Sequence, residues 1–300
     1  MIAWRVPFDF LLRFAGWLAL AGFGLLLLLP WFGIRINGML GWYEFHSVMI
    51  QPSELVKGVY LLLLVRLLSA PERTEWLRVV TALPVMAGFV GTILLQPDWG
   101  TALVFAAGGL GALYFCRIRW RYLWGLAGLA ALSMGGVILR HPYMLRRILS
   151  FFDSSFDPAG AGWHQRQFAI AIARGEWFGV KGEMAVWSAG FLPLSHNDSI
   201  FAGMSEMLGA FGAGLLVFLL AAWFWQFFRL GSFCSDPVRR SYIDAAAAMI
   251  LFQALLHIYV NLGLLPPTGI TLPLVSYGGS SMLGTMLMLG FALAAARKQS

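Results

Sequence analysis

The chain has 300 residues, of which 59% are hydrophobic and only 12% are charged. Its mean hydropathy of +0.75 lies well outside the usual range of soluble globular proteins, so the composition indicates an integral membrane protein. The formal net charge of +7 is compatible with binding to nucleic acid or to anionic lipid, and the positions of the basic residues decide between these classes.

Apolar segments follow one another along most of the chain. A helix needs about 20 apolar residues to cross a hydrocarbon core of about 30 Å. The pattern predicts an all-α polytopic membrane protein, with about eight transmembrane helices in a single domain over residues 1–300. The eight predicted segments cover residues 14–32, 55–68, 79–95, 101–116, 122–139, 205–228, 243–265 and 282–296.

The basic residues are concentrated in every second connection between these segments, and the short connections between them hold little more than Arg35. An excess of Lys and Arg marks the cytoplasmic side of membrane proteins. The alternation therefore predicts that both termini are cytoplasmic, and it argues against a nucleic-acid-binding surface. No small-residue cleavage site follows the first segment, so no cleavable signal peptide is expected. The basic groups are Arg5 and Arg13; Arg66, Arg73 and Arg78; Arg117, Arg119 and Arg121; Arg229, Arg239 and Arg240; and Arg297 with Lys298.

This topology places the unusual polar connections on one side of the membrane, so a function that depends on them would be extracytoplasmic. The largest connection, between predicted helices five and six, is too long for a plain turn and too apolar for a disordered segment. Its residues 167–174 (QFAIAIAR) are amphipathic, and its tryptophans favour the outer membrane interface. The four polar connections cover residues 37–54, 96–100, 140–198 and 266–281.

Two of these connections end in residues that are typical of a helix start. Ser53 is a predicted N-cap and Glu54 suits the positive end of a helix dipole, and Asp98 allows the same interpretation. Lys57 lies one turn beyond Glu54, so the two side chains can pair at i, i+3. A lysine this close to the hydrocarbon core needs a partner or an aqueous cavity, which makes Lys57 a candidate for a functional site.

The large outer loop ends in the polar segment LSHNDS, residues 194–199. Asp198 directly precedes an apolar helix, where it is either an N-cap or a functional residue, and the two roles are compatible. Glu206 lies two turns further along the same predicted helix, where a carboxylate is costly unless it faces a polar cavity. His196 flanks Asp198, but the remaining histidines show no metal-ligand spacing, which argues against a zinc site.

The same loop carries cations on a side of the membrane where the positive-inside pattern does not require them. They are either ordinary solvated charges or a binding surface for an anionic ligand, and the sequence leaves both interpretations open. These cations are Arg146, Arg147, Arg166, Arg174 and Lys181.

The connection over residues 266–281 combines three prolines, several hydroxyl side chains and the pair Gly278 and Gly279. Its prolines and glycines forbid a continuous helix, and non-helical backbone at membrane depth is tolerated only where it is buried in protein or lines a cavity. We therefore expect a re-entrant or cavity-lining loop. Its hydroxyls and free backbone N–H groups would suit a phosphate or a sugar.

Five motifs together resemble the SEDS family (shape, elongation, division and sporulation), the membrane glycosyltransferases that include RodA, FtsW and SpoVE. The resemblance runs from about Asn37 to the C-terminus. Family members usually have ten transmembrane helices, so the chain resembles a member that is shortened at the N-terminus. The motifs are Asn37-Gly38 followed by Trp42, QPSELVK (51–57), QPDWGTALV (96–104), HNDSIF (196–201) and GLLPPTGITLPLVSYGGSS (263–281).

The resemblance implies a peptidoglycan glycosyltransferase that polymerises lipid II, an undecaprenyl-pyrophosphate disaccharide-pentapeptide, at the outer face of the bacterial cytoplasmic membrane. Such proteins build cell wall for cell shape, cell division or sporulation. His196, Asn197 and Asp198 match the family's His-Thr-Asp motif, which implies that Asp198 is the general base. The residues expected to bind substrate are Glu54, Lys57, Asp98, Gln167, His196, Glu206, Ser276, Tyr277, Gly278, Gly279 and Ser280.

Lipid II is α-linked and the glycan product is β-1,4-linked, so a single displacement with inversion suffices. The departing pyrophosphate would be stabilised by a divalent cation, Mg²⁺ or Mn²⁺, or by Lys57, Arg147 or Lys181, and no organic cofactor is expected. Among the three side chains Lys57 is favoured, because its motif match is direct. The resemblance also implies a partner, a single-span class B penicillin-binding protein with transpeptidase activity. A non-catalytic scaffold and a transporter of lipid-linked sugars remain the alternative functions.

Several positions depart from the family's pattern. The basic residue before Trp42 is replaced by Gly41, and the second glycine of a Gly-Gly pair is replaced by Glu176. These departures leave the subfamily open and put full activity in question, whereas Asp198 is retained. The other departures are Trp163-His164 in place of a Tyr-Gln pair and Leu194 in place of a glutamate.

Overall fold

The computed structural model describes residues 5–36, 38–46, 48–140, 142–153, 161–180, 190–192 and 197–297. The described residues form ten helices and a small antiparallel sheet. The helices are α1 (Phe8–Phe32), α2 (Pro52–Leu68), α3 (Glu75–Leu95), α4 (Trp99–Phe115), α5 (Trp120–Arg140), α6 (Pro142–Phe152), α7 (Ala161–Gly175), α8 (Ile200–Ser232), α9 (Pro237–Asn261) and α10 (Gly279–Ala296).

Each of the eight predicted apolar segments corresponds to a separate helix, because a backbone in lipid must satisfy its own hydrogen bonds, although the segment 243–265 extends past the end of α9 at Asn261. Six helices (α1, α3, α5, α8, α9 and α10) are long and apolar enough to cross a membrane, and α4 is a shorter apolar helix. The predicted large loop contributes α6 and α7, and α7 includes the amphipathic residues 167–174. The mostly helical, multi-span prediction is confirmed at this level.

The all-α prediction is wrong at residues 34–50. These residues form a three-stranded antiparallel sheet in the order β1 (Ile34–Ile36), β2 (Met39–Phe45) and β3 (Val48–Ile50). Buried residues alternate with less buried ones along the first part of β2, as expected of a sheet with one covered face. The Tyr43 hydroxyl donates to the Leu25 carbonyl at 2.6 Å, and this bond ties the sheet to α1.

The helix starts agree in part with the predicted caps. Asp98 is the N-cap of α4, since its Oδ1 accepts from the Thr101 amide at 3.0 Å. The predicted cap at Ser53 is wrong, because α2 begins with Pro52 and its N-cap position is Gln51. Proline is favoured at the first helical position, where its missing N–H costs nothing, so Pro52 sets the start of the helix.

The described chain divides into two compact units. The first comprises Met1–Val137, Gln226–Leu251 and Gly279–Ser300. Within it, α2 packs against α1, α3, α4 and α10, and most of its side chains are buried. Two of its residues make buried polar contacts: the Tyr60 hydroxyl donates to the Phe105 carbonyl, and the Gly58 carbonyl accepts from Tyr242. The charged residues of α2 are therefore held in a tightly packed helix.

The second unit comprises Ile138–Trp225 and Phe252–Gly278. Within it, α8 is broken at Gly209, whose φ of 68° lies in the left-handed region that favours glycine. The break frees two amides of α8, and those of Ala210 and Phe211 donate to the carbonyls of Glu176 and Trp177. The segment that follows α7 is thereby bonded to α8 through the backbone.

Candidate active site

Asp198 lies two residues before α8, in a half-buried position. Asn261 Nδ2 donates to the Asp198 carbonyl at 2.9 Å, and the Ser276 hydroxyl donates to the Asn197 carbonyl, also at 2.9 Å. Both donors belong to the second unit. The carbonyls of Asn197 and Asp198 are therefore both held by hydrogen bonds, and Asp198 as a residue is half-buried.

The non-helical loop between α9 and α10 runs beside Asp198. Ser276 also accepts from the Leu272 amide at 2.8 Å, which folds the loop back on itself. Gly269 has a φ of +72°, and a Cβ built on it would lie 3.5 Å from Asp198 Oδ2. The structure thus brings together Asp198 and Ser276, two residues that the sequence predicted for one site.

Two polar residues of α9 were missed as site residues. Asn261 and His257 are four residues apart on one helical face, and both are buried. His257 Nδ1 lies 2.8 Å from the Ile270 carbonyl, and its Nε2 lies 3.3 Å from Asn261 Nδ2. The signal in the sequence was the i, i+4 spacing of two polar residues inside an apolar helix, because such residues need partners in a membrane.

Glu206 and Gln167 are buried in the second unit. Glu206 is fully buried, and its Oε1 accepts from Arg174 Nε at 3.0 Å. Arg174 therefore satisfies a carboxylate that would otherwise be costly at this depth. Gln167, on α7, differs, because among the described residues no donor reaches its buried Oε1. The role of Gln167 in binding substrate stays a prediction.

The residues of the YGGS segment, 277–280, differ in exposure and in hydrogen bonding. Tyr277 is 85% exposed, and Gly278 ends the second unit. Ser280, in the first unit, accepts from the Gln51 amide at 2.9 Å and donates to the Met49 carbonyl at 3.3 Å. Ser280 thus ties the first turn of α10, which begins at Gly279, to β3 and the start of α2.

Glu54 and Lys57 form a buried ion pair in the first unit. Lys57 Nζ lies 2.7 Å from Glu54 Oε1, and their side chains are 2% and 7% exposed. This is the i, i+3 pairing that the sequence predicted. The other oxygen of Glu54, Oε2, has no hydrogen-bond partner within the described part of the chain, and neither does the neighbouring Trp99 Nε1.

Asp98 extends this cluster. Its Oδ2 accepts from Gln51 Nε2 at 3.2 Å, in addition to the capping bond from Thr101. Burial raises the pKa of the Asp98 carboxyl above its ordinary value, and the charge of Glu54 acts in the same direction. The hydrogen bonds from Thr101 and the charge of Lys57 act in the opposite direction. The cluster therefore contains two carboxyl groups and one ammonium group.

The predicted cations and motif partners are only partly described. Arg147 Nη1 donates to the Pro267 carbonyl at 3.1 Å, which holds the loop beside Asp198 from α6. His196, Lys181 and Leu194 lie outside the described residues. The described residues contain no group of three His, Cys, Asp or Glu side chains that would hold a metal ion.

Comparison with known proteins identifies the family. The profile of the FtsW/RodA/SpoVE cell cycle proteins matches residues 1–300. A probable peptidoglycan glycosyltransferase FtsW of Alcanivorax borkumensis is 34% identical over 277 residues, which are 89% of this chain and 71% of the relative. The corresponding FtsW of Methylococcus capsulatus is 34% identical over 296 residues, 95% of this chain and 74% of the relative.

Solved structures agree with these sequence matches. A chain from a peptidoglycan synthase complex that coordinates polymerization and crosslinking aligns with a TM-score of 0.82 and 30% identity, over 98% of this chain and 84% of that chain. The rod shape determining protein RodA of Thermus thermophilus aligns with a TM-score of 0.72 and 27% identity, over 98% and 81%. The predicted SEDS resemblance is confirmed: the chain belongs to the FtsW/RodA/SpoVE family of cell cycle proteins.

Proposed function

We propose that this protein is a peptidoglycan glycosyltransferase that polymerises lipid II, with Asp198 as its general base. The relatives named as probable peptidoglycan glycosyltransferases support the activity. The observation that carries the assignment of the base is the geometry at Asp198: a half-buried residue whose backbone is held by Asn261 and, through Asn197, by Ser276. A general base must be positioned within hydrogen-bond reach of the proton that it takes.

The proposed reaction is one displacement. The 4-hydroxyl oxygen of the acceptor sugar attacks the anomeric carbon of the donor, and the bond from that carbon to the pyrophosphate oxygen breaks. Asp198 takes the hydroxyl proton, and the lipid pyrophosphate leaves with the bonding electron pair. Attack from the face opposite the leaving group converts the α linkage into a β linkage, so no covalent enzyme intermediate is required.

The leaving pyrophosphate needs positive charge. Arg147 is better supported for this role than Lys57, because Arg147 holds the Pro267 carbonyl in the same loop that passes Asp198. Guanidinium groups also bind phosphate oxygens through two parallel hydrogen bonds. The ammonium of Lys57 is buried and already paired with Glu54, so we propose that Lys57 maintains the cluster on α2.

A divalent cation is a separate part of the proposal. Mg²⁺ is usually held by one or two carboxylates together with substrate phosphates and water, and it would neutralise charge on the pyrophosphate when bound. The absence of a three-ligand cluster among the described side chains means that such an ion would depend largely on the substrate for its ligands. In the proposed reaction, Asp198 alone accepts the proton of the acceptor hydroxyl.

We further propose the topology and the partner that the sequence suggested. Helices α1 to α5 and α8 to α10 cross the cytoplasmic membrane with both termini inside, and α6 and α7 lie outside. The alternation of basic connections supports this orientation. A class B penicillin-binding protein with one membrane span is the proposed partner, and the likeness to a chain of a synthase complex that coordinates polymerization and crosslinking supports it.

The test is glycan polymerisation from purified lipid II by the reconstituted protein with its candidate partner and Mg²⁺ present. Asp198→Asn keeps the size of the side chain but removes its basicity, so we expect the rate to fall about 10²- to 10⁴-fold while lipid II binding is retained. An unchanged rate in Asp198→Asn would refute the base assignment. Binding without glycan from the wild type would favour a scaffold, and lipid movement across the bilayer without glycan would favour a transporter.

A further inference from the structure

We propose that Asn261, oriented by His257, is the positioning residue that sets the place of the Asp198 carboxyl for proton transfer. This inference rests on the function proposed above and adds residues that no family motif supplied. Neither side chain reaches the surface, since each is 1% exposed. Both would therefore act through Asp198 and not on the substrate.

Asn261 joins α9 to the start of α8 by two bonds of opposite polarity. Its Oδ1 accepts from the Ala202 amide at 3.1 Å, and its Nδ2 donates to the Asp198 carbonyl at 2.9 Å. Ala202 is the third residue of α8, so its amide has no acceptor within the helix. Asn261 supplies that acceptor and, with the same amide group, holds the backbone of Asp198. The base is thereby fixed to the first turn of α8.

His257 orients this amide and also contacts the loop backbone near Asp198. A carbonyl oxygen can only accept, so the contact with the Ile270 carbonyl places the proton on Nδ1 and leaves Nε2 as an acceptor. Asn261 Nδ2 donates to the His257 carbonyl at 3.0 Å and lies 3.3 Å from Nε2, so both acceptors of His257 favour the amide orientation that donates to Asp198. Ile270 follows Gly269, whose backbone lies beside the Asp198 carboxyl. One face of α9 thus fixes both the base and the backbone next to it.

This arrangement has a kinetic consequence. A general base acts only when its oxygen is within about 2.6 to 3.2 Å of the donor oxygen, and a misplacement of about 1 Å can cost a hundredfold in rate. Loss of Asn261 would loosen Asp198 without removing a group that contacts lipid II. We therefore expect Asn261→Ala to lower kcat about tenfold to a hundredfold and to leave KM nearly unchanged.

The experiment measures kcat and KM for lipid II polymerisation, together with thermal unfolding, for Asn261→Ala, His257→Ala and His257→Asn. His257→Asn keeps a donor near the Nδ1 position, so it should restore much of the activity that His257→Ala loses. Ser241→Ala is the matched control, because it removes another buried hydrogen bond of α9, the one to the Phe115 carbonyl at 2.9 Å. We expect this control to lose stability without the fall in kcat.

A double variant separates positioning from stability. If Asn261 acts only through the base, Asn261→Ala should add little to the loss already caused by Asp198→Asn. Wild-type kcat in Asn261→Ala, with Asp198→Asn inactive, would overturn the positioning role and leave the proposed function standing. A full rate in Asp198→Asn would instead refute the base assignment itself. Activity that only follows the amount of folded protein in every variant would also overturn the inference.

Discussion

The buried cluster of Glu54, Lys57 and Asp98 predicts that replacing Lys57 destabilises the protein more than replacing Glu54. At the observed separation of 2.7 Å, the attraction between Lys57 and Glu54 is about 6 kcal/mol for an effective dielectric constant of about 20. Desolvation costs several kcal/mol for each buried ion, so the intact pair contributes little net stability. Removing one partner is different, because the charge that remains keeps its desolvation cost.

The presence of Asp98 makes the two removals unequal. Glu54→Gln leaves Lys57 with Asp98, whose carboxylate the lysine already favours, and the cluster stays balanced. Lys57→Met leaves two carboxyl groups without a cation. We expect Lys57→Met to lower the free energy of unfolding by about 3–5 kcal/mol, and Glu54→Gln to lower it by clearly less. The double variant Lys57→Met/Glu54→Gln should recover part of the loss.

The assay is unfolding of the purified protein in detergent, with all variants compared under one condition. Arg119→Met is the control, because its guanidinium pairs with Glu75 at 2.8 Å but is 67% exposed, and exposed pairs contribute only about 0–1 kcal/mol. If Glu54→Gln destabilises the protein as much as Lys57→Met, the charge balance assigned to this cluster is wrong.

The pH dependence of the same measurement gives an independent check. Burial raises the folded-state pKa of Asp98, so its contribution to stability is present at acidic pH, below the ordinary carboxyl pKa, and is lost as the pH rises through the raised value. Lys57 limits this loss by favouring the ionised carboxyl. Lys57→Met should therefore lose more stability than the wild type between mildly acidic and neutral pH. Equal slopes would contradict the placement of the lysine charge beside Asp98.

Three further predictions follow from single positions. Gly269→Ala places a Cβ at a φ of +72° beside the Asp198 carboxyl, so it should cost about 1–2 kcal/mol of stability and lower kcat; wild-type kinetics would contradict the contact. Glu176→Gly should raise the free energy of unfolding by about 1 kcal/mol, because the exposed Glu176 has a φ of 44°; a lower thermal stability would show that its side chain contributes. Glu44→Cys, without the two natural cysteines, should react with an impermeant thiol reagent from outside; labelling only after permeabilisation would reverse the proposed topology.

The helices were predictable because a backbone in lipid must satisfy its own hydrogen bonds, and a helix does so. The sheet could be predicted only from the turn residues of its hairpin. Asn37 and Gly38 form the dipeptide most typical of a tight hairpin, and the segment over residues 39–45 alternates in burial. The dipeptide was interpreted only as part of a family motif in a polar loop, and the alternation in burial became visible only in the folded chain. The break at Gly209 had no local signal, because one glycine in an apolar helix is common and the partner backbone at residues 176–177 is distant in sequence.

Candidate site residues could be predicted where the side chain is charged, and they were not predicted where it is neutral. Asp198 and Lys57 became candidates because charges in an apolar chain are costly. Asn261 and His257 carry no such signal on their own, and their role depends on a helix start and a loop that lie near them only in the folded chain. Sequence spacing can place two residues on one helical face, but it does not identify what that face meets.

The hydrogen bonds of Asn261 bear on the two interpretations of Asp198 that the sequence left open, a helix N-cap and a functional residue. Because α8 begins at Ile200, the residue in the N-cap position is Ser199, and Asp198 lies one residue further out. The amide that a capping side chain would normally satisfy, that of Ala202, is taken by Asn261 from another helix. The acceptor of the Ala202 amide is therefore Asn261 and not the carboxylate at position 198. A half-buried carboxyl beside a glycine backbone, on a segment whose Asn197 and Asp198 carbonyls are both hydrogen-bonded, supports the proposed role of Asp198 as the general base.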